Sequence, residues 1–252
     1  MIKAVVFDVG GTMHVSEKDA MLQASFSQQA LWILKEGGIR LDVKPEDFFT
    51  CLSRQAEEYK AWSEISKREL PAVQIWRDYF LKPYNIDIKR LEPLAENLSY
   101  LYDYSRVRLR LRPCLKETMV KLHGSGLTLG VISNIISRTF VPRILQEYEI
   151  MKYMSCVVLS SVTGIRKPDP GIFRIAESEL KMKPDELAYV GDTVSRDVIG
   201  TKNAGWRLMI QIKNPSIAFR DSKVINSGYL PDYSIQSLDE IPAIIARENE
   251  KT

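Results

Sequence analysis

Five short apolar runs punctuate the chain: Ala4 to Phe7, Leu127 to Ile132, Val157 to Leu159, Leu187 to Val190 and Leu208 to Ile212. They are continuous rather than alternating, which is the pattern of strands covered on both faces. Helix-length segments separate them, at Leu115 to Leu122, Ser137 to Tyr148, Pro170 to Leu180 and Arg196 to Ala204. This alternation predicts an α/β fold with a doubly wound, mostly parallel sheet.

Residues 15–112 break that rhythm. Helical patterns run near Ala20 to Glu36, Pro45 to Glu64, Ala72 to Phe80 and Leu91 to Tyr104, with Pro45, Pro71, Pro83 and Pro113 at the joins. The segment is rich in Trp and Tyr and has no convincing strand before Arg106 to Arg112. It reads as an all-helical cap, residues 15–112, inserted into a core made of residues 1–14 and 113–252. Because the insertion leaves the sheet just beyond Asp8, it should lie over the crevice at the strand ends. The Arg106 to Arg112 alternation reads as a solvated edge or hinge, since no other basic patch extends it into a nucleic-acid surface.

Composition narrows the picture further. With 252 residues, 45% hydrophobic and 27% charged, the chain has ample material for a core plus an insertion. Its 35 basic and 32 acidic residues leave a net charge of +3, too weak a field to argue for nucleic acid or membrane. Cys51, Cys114 and Cys156 are odd in number and lack metal spacing, so they read as free thiols of a reduced compartment. No apolar run reaches eighteen residues, and the N-terminal residues enter a strand without a cleavage signal. The expected location is cytoplasmic. Oligomeric state has no signal in the sequence.

Four segments carry candidate chemistry, each at the carboxyl end of a run or in the loop beyond it. The first run stops at Asp8 and continues Val9-Gly10-Gly11-Thr12, where Thr12 can cap a turn or hold a phosphate oxygen. The second ends in Ser133-Asn134, a hydroxyl for a phosphate oxygen and an amide to orient nucleophile or substrate. Lys167, in a Lys-Pro-Asp-Pro setting, can neutralise two carboxylates and a phosphoryl group as a point charge. The fourth run ends in Gly191-Asp192, with Asp197 five residues on. Clustered carboxylates near a phosphate suit Mg²⁺, a hard cation. Together these segments point to phosphoryl-transfer hydrolysis.

The motifs and their order resemble the haloacid dehalogenase-like hydrolases over nearly the whole length. The resemblance implies a Rossmann-like catalytic core with a helical cap between the first and second motifs. It implies that Asp8 is the nucleophile forming an aspartyl-phosphate, Ser133 the phosphate-binding hydroxyl and Lys167 the third-motif lysine. Mg²⁺ would be held by Asp8, the Gly10 carbonyl and Asp192, with Asp197 ordering metal-bound water or Lys167. Thr12, Gly11 and Asn134 complete the expected catalytic and substrate-binding set, and the substrate expected is a small phosphorylated molecule.

Gly10 departs from the phosphatase pattern, which has a second Asp there to protonate the leaving group and activate water. General acid–base help is worth about 10²–10⁴ in rate, so weak turnover on poor leaving groups is expected unless another group substitutes. His14 is one candidate, titrating near neutrality. Two alternatives follow from the same departure: a metal-independent 2-haloacid dehalogenase, or a non-catalytic phosphate- or nucleotide-binding or protein-interaction module. A Schiff-base lysine would have to come from the cap, such as Lys18 or Lys35, and nothing marks one out. Substrate choice falls to cap residues, among which Arg40, Arg54, Arg68 and Arg77 are equivalent in sequence.

Overall fold

A computed structural model describes residues 1–217, 221–222, 224 and 228–251. Its centre is a six-stranded sheet built from β1 (Ala4–Phe7), β4 (Thr128–Ser133), β5 (Met154–Leu159), β6 (Leu187–Gly191), β7 (Leu208–Ile212) and β8 (Tyr233–Ile235). The order is β5-β4-β1-β6-β7-β8, and every pairing is parallel. All five apolar runs are therefore sheet strands. The short edge strand β8, Tyr-Ser-Ile, has too few apolar residues to stand out in sequence. Chain direction across the sheet reverses beside β1, which makes its carboxyl end the switch point where such sheets form a crevice.

Helices α5 (Leu115–Gly124), α6 (Phe140–Glu147), α8 (Pro170–Leu180), α9 (Ile199–Ala204) and α10 (Ile241–Glu250) flank the sheet, and a single turn, α7 (Ser160–Thr163), follows β5. Two buried clusters result. One joins Val5, Phe7, Leu129 and Val131 to α5, α6 and α10. The other joins Val6, Ile132 and Tyr189 to Phe173 of α8 and Trp206. Pro170 opens α8, and the Asp169 carboxylate caps it by accepting the Gly171 N–H at 2.8 Å.

The inserted stretch holds α1 (Ala20–Glu36), α2 (Pro45–Ser66), α3 (Ala72–Ile75) and α4 (Ile88–Ser105) around a third cluster that includes Phe26, Phe48, Trp76 and Phe80. Trp76 Nε1 donates to Ser99 Oγ at 2.9 Å, so this buried ring is also hydrogen-bonded. At its two ends the insertion is not helical. β2 (His14–Lys18) pairs antiparallel with β3 (Val107–Leu111) in a two-stranded ribbon. The arginine alternation lies on this ribbon, with Arg110 paired to Glu17 and Arg108 to Asp19. Among the described residues no helix is long and apolar enough to cross a membrane.

Candidate active site

Asp8 follows β1 and Asp192 follows β6, so two carboxylates meet at the ends of adjacent central strands. One oxygen from each of Asp8, Asp192 and Asp197 lies within 4.8 Å of the others. Lys167 joins this cluster from the loop before α8. Its Nζ donates to Asp8 Oδ1, Asp197 Oδ1 and the Tyr189 hydroxyl, each at 2.7 Å. The Tyr189 O–H in turn donates to the Ile132 carbonyl at 3.1 Å, so all three lysine donors are fixed.

The backbone around the lysine is fixed as well. Asn134 Oδ1 accepts the Lys167 N–H at 2.8 Å, and Asn134 Nδ2 donates to the Lys167 carbonyl at 2.9 Å. Both oxygens of Asp197 are occupied, one by Lys167 and the other by the Thr193 N–H and hydroxyl at 2.9 and 2.6 Å. Asp192 Oδ2 accepts from Asn214 Nδ2 at 2.7 Å. The loop after β1 is anchored by Arg112, whose Nε and Nη2 donate to the Gly11 carbonyl at 2.9 and 2.7 Å. Gly11 has φ +90°, and a Cβ there would stand 1.9 Å from Asp192 Oδ2. No side chain is compatible with both the turn and that carboxylate.

Burial opposes charge on every member of the cluster. For Asp197 the Lys167 ammonium and the Thr193 donors outweigh it and hold the carboxyl below its usual range. Lys167 is likewise held above its usual range by Asp197 and Asp8 despite burial. Asp8 shares that lysine, and burial together with Asp197 leaves its carboxyl raised. Asp192 is pushed up to about 8 by burial, then by Asp8 and Asp197. Three acids against one lysine leave uncompensated negative charge, which a hard divalent cation relieves.

The cluster forms one wall of a cavity of about 310 Å³ that is also lined by Gly10, Gly11, Ser133 and Asn134. The residues singled out from sequence thus converge, with Thr12 differing in its direction. Thr12 is fully buried and its hydroxyl donates to Asp8 Oδ2 at 3.4 Å, so it supports the acid from behind the cavity wall. At Gly10, which lines the cavity, a Cβ would meet nothing within 4 Å, so a side chain there has room.

Among the described residues, Arg40, Arg54, Arg68, Arg77, Lys18 and Lys35 do not line this cavity. Arg106, Arg196, Asp103 and His14 do. His14 Nδ1 meets the Tyr148 hydroxyl at 3.0 Å, and burial lowers its imidazole to about 4, so it is neutral at neutral pH. Arg196 stands between the two acids of the fourth motif, and Arg106 opens the arginine alternation, so both had a signal in sequence. Asp103 had none, because it reaches the site only through the path of α4.

A parallel sheet with an acid at the end of its first strand, a fixed lysine and two further acids defines a Rossmann-like fold with a carboxylate cluster at its crevice. The family model for haloacid dehalogenase-like hydrolases matches residues 2–205, and the chain belongs to that family. Over 245 residues it is 26% identical to a glyceraldehyde 3-phosphate phosphatase of Methanopyrus kandleri, covering 97% of each chain. Over 211 residues it is 35% identical to a phosphoglycolate phosphatase of Vibrio vulnificus, covering 81% of each. A solved 2-haloacid dehalogenase from Pseudomonas syringae pv. Tomato DC3000 shares the fold with a TM-score of 0.65 at 24% identity, over 98% of this chain and 99% of that one.

Proposed function

We propose that the protein is a Mg²⁺-dependent phosphomonoester hydrolase that acts through an aspartyl-phosphate on a small soluble phosphorylated substrate. The observation that carries this reading is Asp192, a buried carboxylate beside Asp8 whose charge is offset by Asn214 rather than by a cation in contact. Attack on a carbon bearing halogen has no use for that second acid. The donors are all oxygen, which fits Mg²⁺ rather than a softer metal. Asp8, Asp192 and the Gly10 carbonyl would hold it, and when bound it supplies charge stabilisation to the phosphoryl oxygens.

In this reading Asp8 attacks phosphorus while Lys167 offsets charge on the equatorial oxygens; the Gly11 N–H is already given to the His14 carbonyl at 2.7 Å, so Gly11 serves the turn rather than the phosphate. Ser133 holds a phosphate oxygen. Thr12 orients Asp8, Asn134 fixes the Lys167 backbone, and Asp197 aims its ammonium. Residues 15–112 act as the cap over the cavity, and residues 1–14 and 113–252 as the catalytic core. The three free cysteines fit a reducing, cytoplasmic compartment. Gly10 gives the leaving oxygen no proton, so turnover on poor leaving groups is weak unless another cavity group supplies one.

The test is release of phosphate from small phosphate esters, with halide release from 2-haloacids measured beside it. Phosphate release is expected to require Mg²⁺ and to vanish on chelation and in Asp8→Asn. Halide release that survives chelation would overturn the reading in favour of carbon attack.

A further inference from the structure

We propose that Asp103, on the last turn of α4, is the acid and base that position 10 lacks. The inference rests on the phosphatase reading above. Among the described residues, the titratable side chains that line the cavity outside the cluster of Asp8, Lys167, Asp192 and Asp197 are His14, Asp103, Arg106 and Arg196, and a guanidinium does not give up its proton near neutrality. His14 is excluded as a proton donor, because burial keeps its imidazole neutral.

Asp103 is placed for the task. Its Oδ2 accepts the Ser137 N–H at 3.0 Å, on the loop that carries Ser133 and Asn134, and its Oδ1 has no hydrogen bond among the described residues. The carboxyl therefore belongs to the same wall as the phosphate-binding hydroxyl. It also lines an adjoining cavity of about 320 Å³ under α2, together with Arg106 and Arg196. The two spaces share Asp103, Arg106, Asn134, Ile135 and Arg196 in their lining, so an alcohol portion reaching from a phosphate at Asp8 into the second space would cross the boundary that Asp103 helps to form. Glu96, two turns earlier on the same face of α4, already caps this loop by accepting from Ser137 Oγ and the Thr139 N–H at 2.7 and 3.1 Å. Anchoring the loop is thus provided without Asp103.

The protonation state agrees. Burial pushes the Asp103 carboxyl up to about 7, opposed by the Ser137 N–H and Arg106 and reinforced by Glu69 and Glu96. Glu57, Tyr59, Lys60, Tyr102, Arg166 and Arg196 line the adjoining cavity with it. Near neutrality both the acid and the carboxylate are populated, as a group that first gives and then takes a proton requires. In the first half-reaction Asp8 bonds phosphorus, the ester phosphorus–oxygen bond breaks, and the departing oxygen takes the Asp103 proton. In the second, the Asp103 carboxylate takes a proton from water as that oxygen bonds phosphorus and the bond to Asp8 breaks. Phosphate leaves and both carboxyls are restored.

The experiment compares ethyl phosphate, whose alkoxide needs a proton, with 4-nitrophenyl phosphate, whose phenolate does not. The full chain is assayed with Mg²⁺ as wild type, Asp103→Asn and Asp103→Asn/Gly10→Asp. Single-turnover rates separate release of the alcohol from hydrolysis of the aspartyl-phosphate, a step both esters share. We expect Asp103→Asn to lower the release rate on ethyl phosphate by about 10²-fold or more and on 4-nitrophenyl phosphate by less than about 5-fold, and to slow the shared step equally for both. The double variant should recover ethanol release, since a side chain at position 10 has room. The wild-type release rate on ethyl phosphate should also fall as pH rises above neutrality, with no such limb in release of 4-nitrophenolate, a reading that needs no variant to fold. Equal losses of the release rate on both esters, or no alkaline limb particular to ethanol release, would overturn the role of Asp103 and leave the phosphatase reading standing. No phosphate from either ester with wild type would overturn both.

Discussion

At the scale of single residues, the site is a set of buried charges whose protons respond to pH in opposite directions. His14 is held neutral down to about 4 in the folded protein, while its ordinary value in an unfolded chain is 6.5. Between those values the unfolded chain binds a proton that the folded one excludes, so this residue's contribution to stability falls as pH drops. Asp8, Asp103 and Asp192, all raised, do the reverse: the folded state holds their protons longer, and stability falls as pH rises through their range. The His14 contribution is isolated by comparing wild type with His14→Gln in denaturant titrations at pH 7 and pH 5. Wild type should lose about 2 kcal/mol more than the variant between the two pH values. Equal losses would show that His14 titrates normally.

At the scale of elements, the inserted stretch meets the rest of the chain at several places, three of them through backbone hydrogen bonding or pairing. Two are the strands of the ribbon, β2 and β3. The third is a strip of residues 67–69 against 164–166, where the Glu69 N–H donates to the Gly164 carbonyl and the Arg166 N–H to the Lys67 carbonyl, both at 3.0 Å. The Glu69 carboxylate is fully buried there, bonded to Arg166 and Tyr59 and to Ser160 Oγ at 2.6 Å. Removing it strands a buried guanidinium, so Glu69→Ala should cost about 3–5 kcal/mol in denaturant unfolding. A loss under 1 kcal/mol would mean that water replaces the carboxylate. The sequence shows why some elements were legible and others not. Buried strands such as β1 and β6 announce themselves by unbroken apolar runs. The β2 segment His-Val-Ser-Glu-Lys is half-exposed and gains its identity only from β3, more than ninety residues on. The 67–69 strip is longer-range still, and Asp103 reaches the cavity only because α4 is packed where it is. Motif residues at strand ends were visible because their backbone neighbours place them; those that arrive from the insertion were not.

At the scale of the whole molecule, a slightly positive protein, +3 overall, concentrates three acids at the middle of its sheet. Their mutual repulsion is a standing cost to the fold. A divalent cation that binds only the folded form stabilises it by mass action, about 2.7 kcal/mol at a hundred times its Kd. Mg²⁺ should therefore raise the thermal midpoint, a chelator should reverse the rise, and Asp192→Asn should blunt it. An unchanged midpoint across millimolar Mg²⁺ would count against a metal at these carboxylates.

The strip that ends at Arg166 is one residue from Lys167. The Glu69–Arg166 ion pair and the Lys167 ammonium beside Asp8 are thus held by neighbouring residues of one short length of backbone. A change that loosens the first is transmitted to the second through a single peptide unit, so the inserted stretch and the carboxylate cluster share one mechanical anchor.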